Sequence, residues 1–416
     1  MRTPSDIAHP RLELGCLALI AALSGCADGD SKPNTNELEG VTLVREDAGN
    51  RPLPNLDSEW SSRFNTGDAL FELRYYEAQG LGPVYIRSSC ASCHEKDARG
   101  PGAVRKMVML DHDGVPLNDQ SGLTWGNTIR PQTIMGVEQG VVAPENGSLL
   151  ITVRQPPAVF GRGFMEAIAD SEIERVEAEQ AEREDGISGR INWVTYTSHA
   201  NEDTRFHHHQ QGERLIGRFG LKARIATLDD FAADALLGDM GMTSDMRPDE
   251  LPNPEGDTDD RPGIDVTPKT VNALADYMRV LRIPTRKANE HGQKLFEEAQ
   301  CGVCHVPSMH TASDYALAPL ADIDAHVFSD LLLHDMGKGF GDEIHDFTAT
   351  STEWRTAPLL GLRFLRSYLH DGRAQTIAEA IELHGAPDSE AAGSVQRFRD
   401  LSDKDRDALI AYVSAL

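Results

Sequence analysis

Two short motifs constrain this 416-residue chain more than any other feature. Residues 87–96 read RSSCASCHEK, and residues 299–308 read AQCGVCHVPS. In each motif two cysteines are separated by two residues and followed at once by a histidine. Such a pair of thiols can be a redox dithiol, part of a zinc site or the anchor of a c-type haem. The fold and the chemistry of the chain depend on which of these three holds.

The surroundings of the motifs favour haem. The pairs Cys90/Cys93 and Cys301/Cys304 lie far apart in the chain, so little supports a shared tetrahedral zinc site. No strand rich in Val and Ile precedes either pair, as a thioredoxin-like dithiol would require. In the c-type haem signature both thiols form thioethers with the haem vinyl groups, and the histidine binds the iron. We therefore predict two covalently bound c-type haems, with His94 and His305 as proximal ligands.

The N-terminus indicates export. Residues 1–25 carry a short apolar stretch that is too brief to cross a bilayer, and they are predicted to be a signal peptide. The stretch LSGC at 23–26 resembles a lipobox, in which Cys26 would receive lipid; an ordinary signal peptide is the alternative. Residues 26–60 are predicted to be a flexible tether. The protein is thus expected at the periplasmic face, held by a lipid anchor only, with Ala27 favouring the outer membrane.

Charge and composition exclude one class of partner. The formal net charge of −26 would repel nucleic acid, while a basic protein partner remains compatible with it. The hydrophobic content of 40% is sufficient for one large or two medium cores. Once Cys16 and Cys26 are assigned to the signal region, the remaining four cysteines are the two motif pairs, and none is left for a disulfide framework.

Helical patterns surround both motifs. The stretch NEHGQKLFEEAQ leads into Cys301 with one apolar face, and FNTGDALFELRYYEAQG precedes the first motif. Ser402 is predicted to cap a terminal helix whose apolar stripe consists of Leu409, Tyr412, Val413 and Leu416. The acidic stretch DSEIERVEAEQAERED is predicted to be a solvated surface helix. No repeat is apparent beyond the two haem motifs.

We therefore predict a mainly α protein of two cytochrome c-like haem domains with long irregular insertions. The N-terminal haem domain would span 61–283 and the C-terminal domain 284–416, with the boundary near 281–287. Between the motifs, 249–263 is a polar linker or loop.

A candidate second ligand for the C-terminal haem follows from a predicted helix. Thr376 and Glu379 form a capping box, so a helix should begin there. Ile377, Ala380, Ile381 and His384 then share one face of that helix, so His384 should point inward. A buried histidine needs a partner. That partner is either the haem iron or a backbone carbonyl, and the sequence pattern leaves both open.

Ten stretches resemble the bacterial di-haem oxidoreductase family, also labelled probable thiol oxidoreductases, which is related to di-haem cytochrome c peroxidases and MauG. They run in family order from about residue 64 to the C-terminus: FNTGDALF, GLGPVYIRSSCASCH, FGRGFMEAI, EDGISGR, GRFGLKA, LLGDMGMT, CGVCH, LLLHDMG, EWRTAPLLGL and YLHDGRAQTIAEAIELHG. The resemblance implies an oxidoreductase in which an oxidant reacts at the N-terminal haem and electrons arrive through the C-terminal one. It also raises the possibility of bound Ca²⁺.

The resemblance further implies roles for individual residues. His384 stands where the peroxidases have a distal methionine, which implies a second haem ligated by His305 and His384, with a lower potential than methionine would give. His370, in the HDG turn, would line the space between the haems; an ordinary turn histidine is the alternative.

The first haem lacks a clear distal ligand. Four residues are candidates: Met107, Met109, His112 and Met135. The stretch RPQTIMGVEQG occupies the place of the peroxidases' catalytic glutamine and glutamate, which implies Gln132 and Glu138 as catalytic candidates, Glu138 as a proton shuttle. Ordinary loop residues are the alternative for both. His334 could face either haem. The triplet His207 to His209 is predicted to lie in a polar loop, with a metal site as the less favoured alternative.

Two functions from different classes remain open. In the first, peroxide is the substrate, or a residue on a partner protein is oxidised at a distance. In the second, both irons are six-coordinate and the protein only relays electrons between periplasmic partners. A small cytochrome or a cupredoxin would serve as redox partner in either case. Thiol chemistry would remain only if the cysteines were free.

Overall fold

The computed structural model describes residues 51–98, 102–145, 147–199, 201, 205–206, 209–254 and 263–416. The predicted signal peptide, the lipidation site at Cys26, and His207 and His208 lie outside these ranges. Within them, no helix is both long and apolar enough to cross a membrane.

Helices dominate the described residues, as predicted. They are α1 Ser58–Glu72, α2 Arg162–Ala167, α3 Asp170–Ala181, α4 Leu228–Met240, α5 Pro268–Val280, α6 Glu290–Glu298, α7 Ile377–Leu383, α8 Ala392–Asp400 and α9 Asp403–Ala415. The predicted caps are present: the Ser402 side chain accepts from the Asp405 N–H at the start of α9, and Thr376 and Glu379 form a reciprocal capping box at α7. The mainly α fold class is confirmed.

The strands form small antiparallel pairs rather than one sheet. They are β1 Val84–Tyr85, β2 Val104–Met109, β3 Gln132–Thr133, β4 Leu149–Arg154, β5 Trp193–Thr195, β6 Arg214–Ile216, β7 Met309–His310, β8 Asp324–Ala325, β9 Leu333–Asp335 and β10 Glu353–Arg355. The pairs are β1–β3, β2–β4, β5–β6, β7–β8 and β9–β10. The longest, β2–β4, runs from Val104 opposite Arg154 to Met109 opposite Leu149. Such short ladders support loops and add no separate sheet layer.

A glycine–tyrosine contact is repeated beside each CxxCH motif. In α1, a Cβ on Gly67 would lie 2.5 Å from the Tyr277 Cβ in α5. In α6, a Cβ on Gly292 would lie 2.4 Å from the Tyr412 Cβ in α9. Only glycine permits helices to approach this closely. The expectation of no repeat beyond the haem motifs was therefore wrong.

An aromatic contact extends this repeat. Phe71, one helical turn after Gly67, lies 5.2 Å from Tyr277 between ring centroids. Phe296, one turn after Gly292, lies 5.6 Å from Tyr412. Each CxxCH motif thus follows a helix that is packed against a later, closing helix. This is the arrangement expected of a cytochrome c-like unit, and it occurs twice.

The acidic helix α3 is not a purely solvated surface helix, which corrects the prediction. Its Ile173 is 0% exposed and packs in the main hydrophobic core together with Val176. Gln180, on the same face, is also buried. The helix has an acidic outer face and a narrow inner face, and a narrow stripe of this kind is enough to fix a helix on a core.

The cores follow the two helical units only in part. The main core extends from Leu53 to Leu360 in sequence, and a second core, built around α6 and α9, begins at Leu295. A small third core under β2 and β4 contains Val84, Met107, Leu123, Ile129 and Val141. The predicted domain boundary near 281–287 lies between α5 and α6 and stays a prediction.

Candidate functional site

The first CxxCH motif, residues 90–94, forms a tight turn that lies against the C-terminal end of α1. The N–H groups of Cys93 and His94 both donate to the Cys90 carbonyl, each at 3.0 Å. The Ala91 N–H donates to the Phe71 carbonyl at 3.2 Å, which joins the turn to the end of α1. This turn places the two thiols and the imidazole together.

The imidazole of His94 is oriented by a distant carbonyl. Its Nδ1 donates to the Pro157 carbonyl at 2.8 Å, so the tautomer leaves an unprotonated Nε2. Burial lowers the pKa of His94 to about 4, so the ring is neutral at pH 7. A neutral imidazole whose other nitrogen donates to a carbonyl is the usual form of an iron-ligating histidine.

The second motif repeats this geometry. The His305 N–H donates to the Cys301 carbonyl at 3.0 Å, and His305 Nδ1 donates to the Phe328 carbonyl at 3.2 Å. Burial lowers the pKa of His305 to about 4 as well. His305 therefore also presents a neutral Nε2.

His384 directly follows α7 and presents a third imidazole of the same kind. Its Nδ1 donates to the Ala380 carbonyl at 2.6 Å, and burial lowers its pKa. The backbone hydrogen bond and an available Nε2 thus occur together, so the two predicted alternatives for this residue are compatible. His384 and His305 line the same cavity.

That cavity has the size and lining for a large, mostly apolar group. It offers about 260 Å³ to water-sized molecules, whereas one water needs roughly 10–15 Å³ by such a measure. Apolar side chains provide most of its lining, including Phe296, Leu362, Ile377, Ile381 and Val413. Cys301, Cys304 and the two imidazoles open onto it. These donors and this shape fit a haem.

The four thiols are poorly suited to redox exchange. Burial raises the pKa of Cys90 to about 12, that of Cys93 to about 11 and that of Cys301 to about 12. Burial raises the pKa of Cys304 also. Thiol exchange needs a thiolate, which depends on a lowered pKa. The thiol oxidoreductase alternative is disfavoured.

His370 lies in the cavity lining and is stacked on an indole that the sequence patterns did not single out. Its ring centroid is 3.7 Å from that of Trp354, with 12° between the planes. The ring centroid of Phe340 lies 6.0 Å from that of His370 and 6.1 Å from that of His384. The HDG turn, the β10 strand and the second motif therefore meet at one cavity.

His334 belongs to the second site, which resolves whether it faces the first or the second motif. On β9, its Nε2 lies 2.9 Å from Asp330 Oδ2 and its Nδ1 lies 2.7 Å from Glu390 Oε2. Its pKa is raised well above the usual value: burial opposes this, but the Cys304 sulfur and the Asp330 carboxylate outweigh burial. Gln180 of α3 donates to the same Asp330 oxygen at 2.8 Å, an interaction that the pattern of α3 did not suggest.

The four distal candidates for the first site differ in burial and packing. Met107 is buried in the third core and Met109 packs against it, whereas Cys90 packs against the main core. Met135 is 90% exposed, and the side chain of His112 is also exposed. The structure brings none of these four to His94 through a described contact, and their role as ligands stays a prediction.

Gln132 and Glu138 are both exposed on and after β3, without a described contact to His94. Their predicted catalytic roles remain untested. His209 contacts the Tyr196 ring at 5.9 Å and the Glu213 carboxylate at 3.3 Å; its neighbours in the triplet lie outside the described residues.

Comparison with known proteins gives one strong result. A family model described as "Di-haem oxidoreductase, putative peroxidase" matches residues 45–134 and 145–416. A search of curated protein sequences finds no significant match.

Solved structures give weaker similarities. Hydrazine synthase from Kuenenia stuttgartiensis shares 15% identity over 97% of this chain and 100% of that chain, with a TM-score of 0.38. A MauG-like protein associated with microbial copper homeostasis shares 15% identity over 88% and 92%, with a TM-score of 0.40. The di-haem peroxidase from Burkholderia thailandensis shares 16% identity over 88% and 87%, with a TM-score of 0.38. Such values are too low to assign a function.

Proposed function

Because the chain belongs to the di-haem oxidoreductase family, a family of haem-dependent oxidoreductases, we propose that it is an exported c-type peroxidase or MauG-like enzyme. One observation supports an enzyme best: the two sites are asymmetric. Two oriented imidazoles, His305 and His384, line the cavity at the second CxxCH motif. At the first motif, among the described residues, only His94 is oriented in this way toward a possible iron.

The geometry supports the following proposal for the residues that would hold the haems. Cys90 and Cys93 would form the thioethers of the first haem, and Cys301 and Cys304 those of the second. His94 and His305 would be the proximal ligands. A bound haem iron supplies reversible one-electron exchange and, where an axial position is open, a place for an oxidant.

The C-terminal site is suited to electron entry. His305 and His384, fixed by the Phe328 and Ala380 carbonyls, would together hold this haem and leave no place for peroxide. Because hydrogen bonds fix both imidazoles, these side chains would move little when the haem gains or loses an electron. We assign a small cytochrome or a cupredoxin as the electron donor.

The N-terminal site is where we place the reaction with the oxidant. His94 would be the one histidine that holds this haem, which would supply the site of reaction with peroxide. Glu138 would carry a proton to and from the oxidant, Gln132 would orient it by hydrogen bonding, and His370 would lie between the two sites. The substrate is peroxide itself or, in the MauG-like form, a side chain on a partner protein.

The location in the cell rests on the sequence. Export by residues 1–25 and lipidation of Cys26 would hold the enzyme at the periplasmic face, on the outer membrane in preference to the inner one. A bound Ca²⁺ stays a prediction without assigned ligands.

Optical spectra of the purified haem-loaded protein, with and without hydrogen peroxide, test this function. A high-spin component in the ferric or half-reduced spectrum that responds to peroxide supports an open iron at the first site, and peroxide-dependent oxidation of a reduced small cytochrome supports turnover. Two fully low-spin haems whose spectra do not change with peroxide in any redox state would rule out the peroxidase. The remaining function would then be electron transfer between partner proteins. A protein that carries no haem would return the four cysteines to thiol chemistry.

A further inference from the structure

A buried arginine lines the cavity at the second CxxCH motif. Among the described residues, no carboxylate pairs with it. Arg355, the last residue of β10, is 5% exposed. Its Nε donates to the Gly220 carbonyl at 3.1 Å and its Nη1 donates to the Thr356 carbonyl at 2.7 Å. Among the described residues, the third nitrogen, Nη2, has no hydrogen-bond partner. The side chain is thus held by two backbone carbonyls while one edge of the guanidinium remains available in the lining of the cavity.

No carboxylate in the part of the chain that the structure describes forms an ion pair with Arg355. Burial lowers its pKa to about 10, and Asp330 is the one acid that opposes this effect. Asp330 is already committed, because its Oδ2 accepts from Gln180 and His334 and its Oδ1 accepts from the Leu332 N–H. A buried cation without a counter-ion is unfavourable, because it loses its hydration on burial and gains no opposite charge in return. The group that fills the cavity should therefore carry negative charge.

The residue next to Arg355 gives an independent indication. The Thr356 side chain is buried, and its Oγ1 has no hydrogen-bond partner among the described residues. Thr356 also lines the cavity, whose walls are otherwise mostly apolar. A buried hydroxyl rarely remains unsatisfied, so a partner from the cavity is expected. Arg355 and Thr356 together offer an N–H cation and an O–H donor, which suit a carboxylate.

We propose that Arg355 and Thr356 bind a propionate carboxylate of the haem held by Cys301, Cys304 and His305, and so fix the charge and the orientation of that haem. The inference rests on the haem-binding part of the proposed function. Arginine suits this place because its planar fork matches a carboxylate and stays charged when buried. As a positive charge beside the porphyrin, Arg355 would favour the ferrous state of the C-terminal haem and raise its reduction potential.

The test uses the haem-loaded full chain with Arg355→Leu, Arg355→Lys and Thr356→Val. Redox titration followed by optical spectra gives the potential of each haem, and resonance Raman spectra give the propionate bending bands. We expect Arg355→Leu to lower the potential of the C-terminal haem, to shift its propionate band and to leave the N-terminal haem unchanged. Arg355→Lys should restore most of the potential but not the band position. Thr356→Val should shift the same band by less. Arg366→Leu is the control, because the Arg366 side chain is 77% exposed.

Unchanged potentials and propionate bands in Arg355→Leu and Thr356→Val would overturn the proposal. If Arg355→Leu does not fold, unshifted propionate bands in both Arg355→Lys and Thr356→Val would overturn the proposal instead. A free anion is the other possible partner. If added acetate shifts the potential of the C-terminal haem in the wild type but not in Arg355→Leu, the site binds exogenous carboxylate and the propionate assignment fails. A haem count below two in the wild type would instead count against the proposed function.

Discussion

The imidazole of His370 and the indole of Trp354 are stacked at 3.7 Å with their planes 12° apart. The ammonium of Lys222 lies 4.2 Å from the centroid of the same indole. One ring face cannot accommodate both neighbours, so the indole lies between a cation and an imidazole. Its Nε1 donates to the Phe340 carbonyl at 3.0 Å, which fixes its orientation. The lining of the C-terminal cavity therefore includes a rigid aromatic stack with a buried charge behind it.

That buried charge predicts a pH-dependent stability. Lys222 is 0% exposed, and burial lowers its pKa to about 8. Between that value and the ordinary pKa near 10.5, the unfolded state binds more protons than the folded state, so the folded state gains relative stability as pH rises. The free energy of unfolding of the wild type, minus that of Lys222→Met, should rise by up to about 3 kcal/mol from pH 7 to pH 10.

Urea unfolding at several pH values measures this difference. Lys404→Met, at an exposed position in α9, is the control and should show a flat difference. A flat difference for Lys222→Met as well would mean that Lys222 remains fully protonated in the folded protein over this pH range.

Alanine should have opposite effects at two glycines, one in the closely packed α6–α9 pair and one at an open position in α4. Gly292→Ala would place its Cβ 2.4 Å from the Tyr412 Cβ and 2.9 Å from the Ala408 carbonyl oxygen, and it should destabilise the protein by about 1–3 kcal/mol. Gly238→Ala, within α4, meets nothing within 4 Å and should stabilise by about 0.5–1 kcal/mol. Urea midpoints compare the two variants directly. Equal destabilisation by both would show that the α6–α9 contact is not the reason for Gly292.

The proposed second ligand predicts a change in potential. His384→Met should raise the reduction potential of the C-terminal haem and leave the N-terminal haem unaffected, because methionine ligation favours the ferrous state. His310→Met, at an exposed position on β7, is the control. Redox titrations of the three proteins decide the matter. An unchanged potential in His384→Met would leave the Ala380 hydrogen bond as the sole role of His384.

The proton-transfer role of Glu138 predicts a loss of activity without a loss of haem. Glu138→Gln should slow peroxide turnover roughly 10²- to 10⁴-fold while the haem content and spectra stay as in the wild type. Glu145→Gln, another exposed glutamate of the same insertion, should retain full turnover. Normal turnover in Glu138→Gln would remove this residue from the mechanism. Because Glu138 is exposed, the substitution should leave the fold intact, so a change in turnover would report on its chemical role.

Features set by local sequence were predictable. The capping box at Thr376 and the cap at Ser402 each involve residues three apart, and the structure contains both. The inward direction of His384 follows from helical periodicity, and the structure places His384 in the cavity lining. The turn of each CxxCH motif is also local, because its backbone hydrogen bonds to the Cys90 and Cys301 carbonyls lie within five residues.

Features set by distant contacts were not predictable. Pro157 accepts the hydrogen bond of a histidine 63 positions away, and no residue pattern marks its carbonyl for that role. Gln180 binds Asp330 across 150 positions, so the weak apolar stripe of α3 gave no sign of it. The sequence around Trp354 is that of an ordinary aromatic residue in a strand, and it does not indicate that the indole stacks on His370. Burial of this kind is decided by tertiary structure rather than by periodicity.

The mixed origin of the cavity lining bears on how this protein can be divided. Pro157, Ala158, Phe160 and Arg162 line the C-terminal cavity, although they precede residue 284. Gln180 donates to the Val303 carbonyl inside the second CxxCH motif. A fragment that begins at residue 284 would lack this lining, so apolar side chains of the cavity would be exposed to water. It would also lose the hydrogen bond from Gln180 to the turn of the second CxxCH motif. The segment from residue 284 onward is thus not expected to fold as an independent module, and transferring it to another chain would require part of the N-terminal half as well.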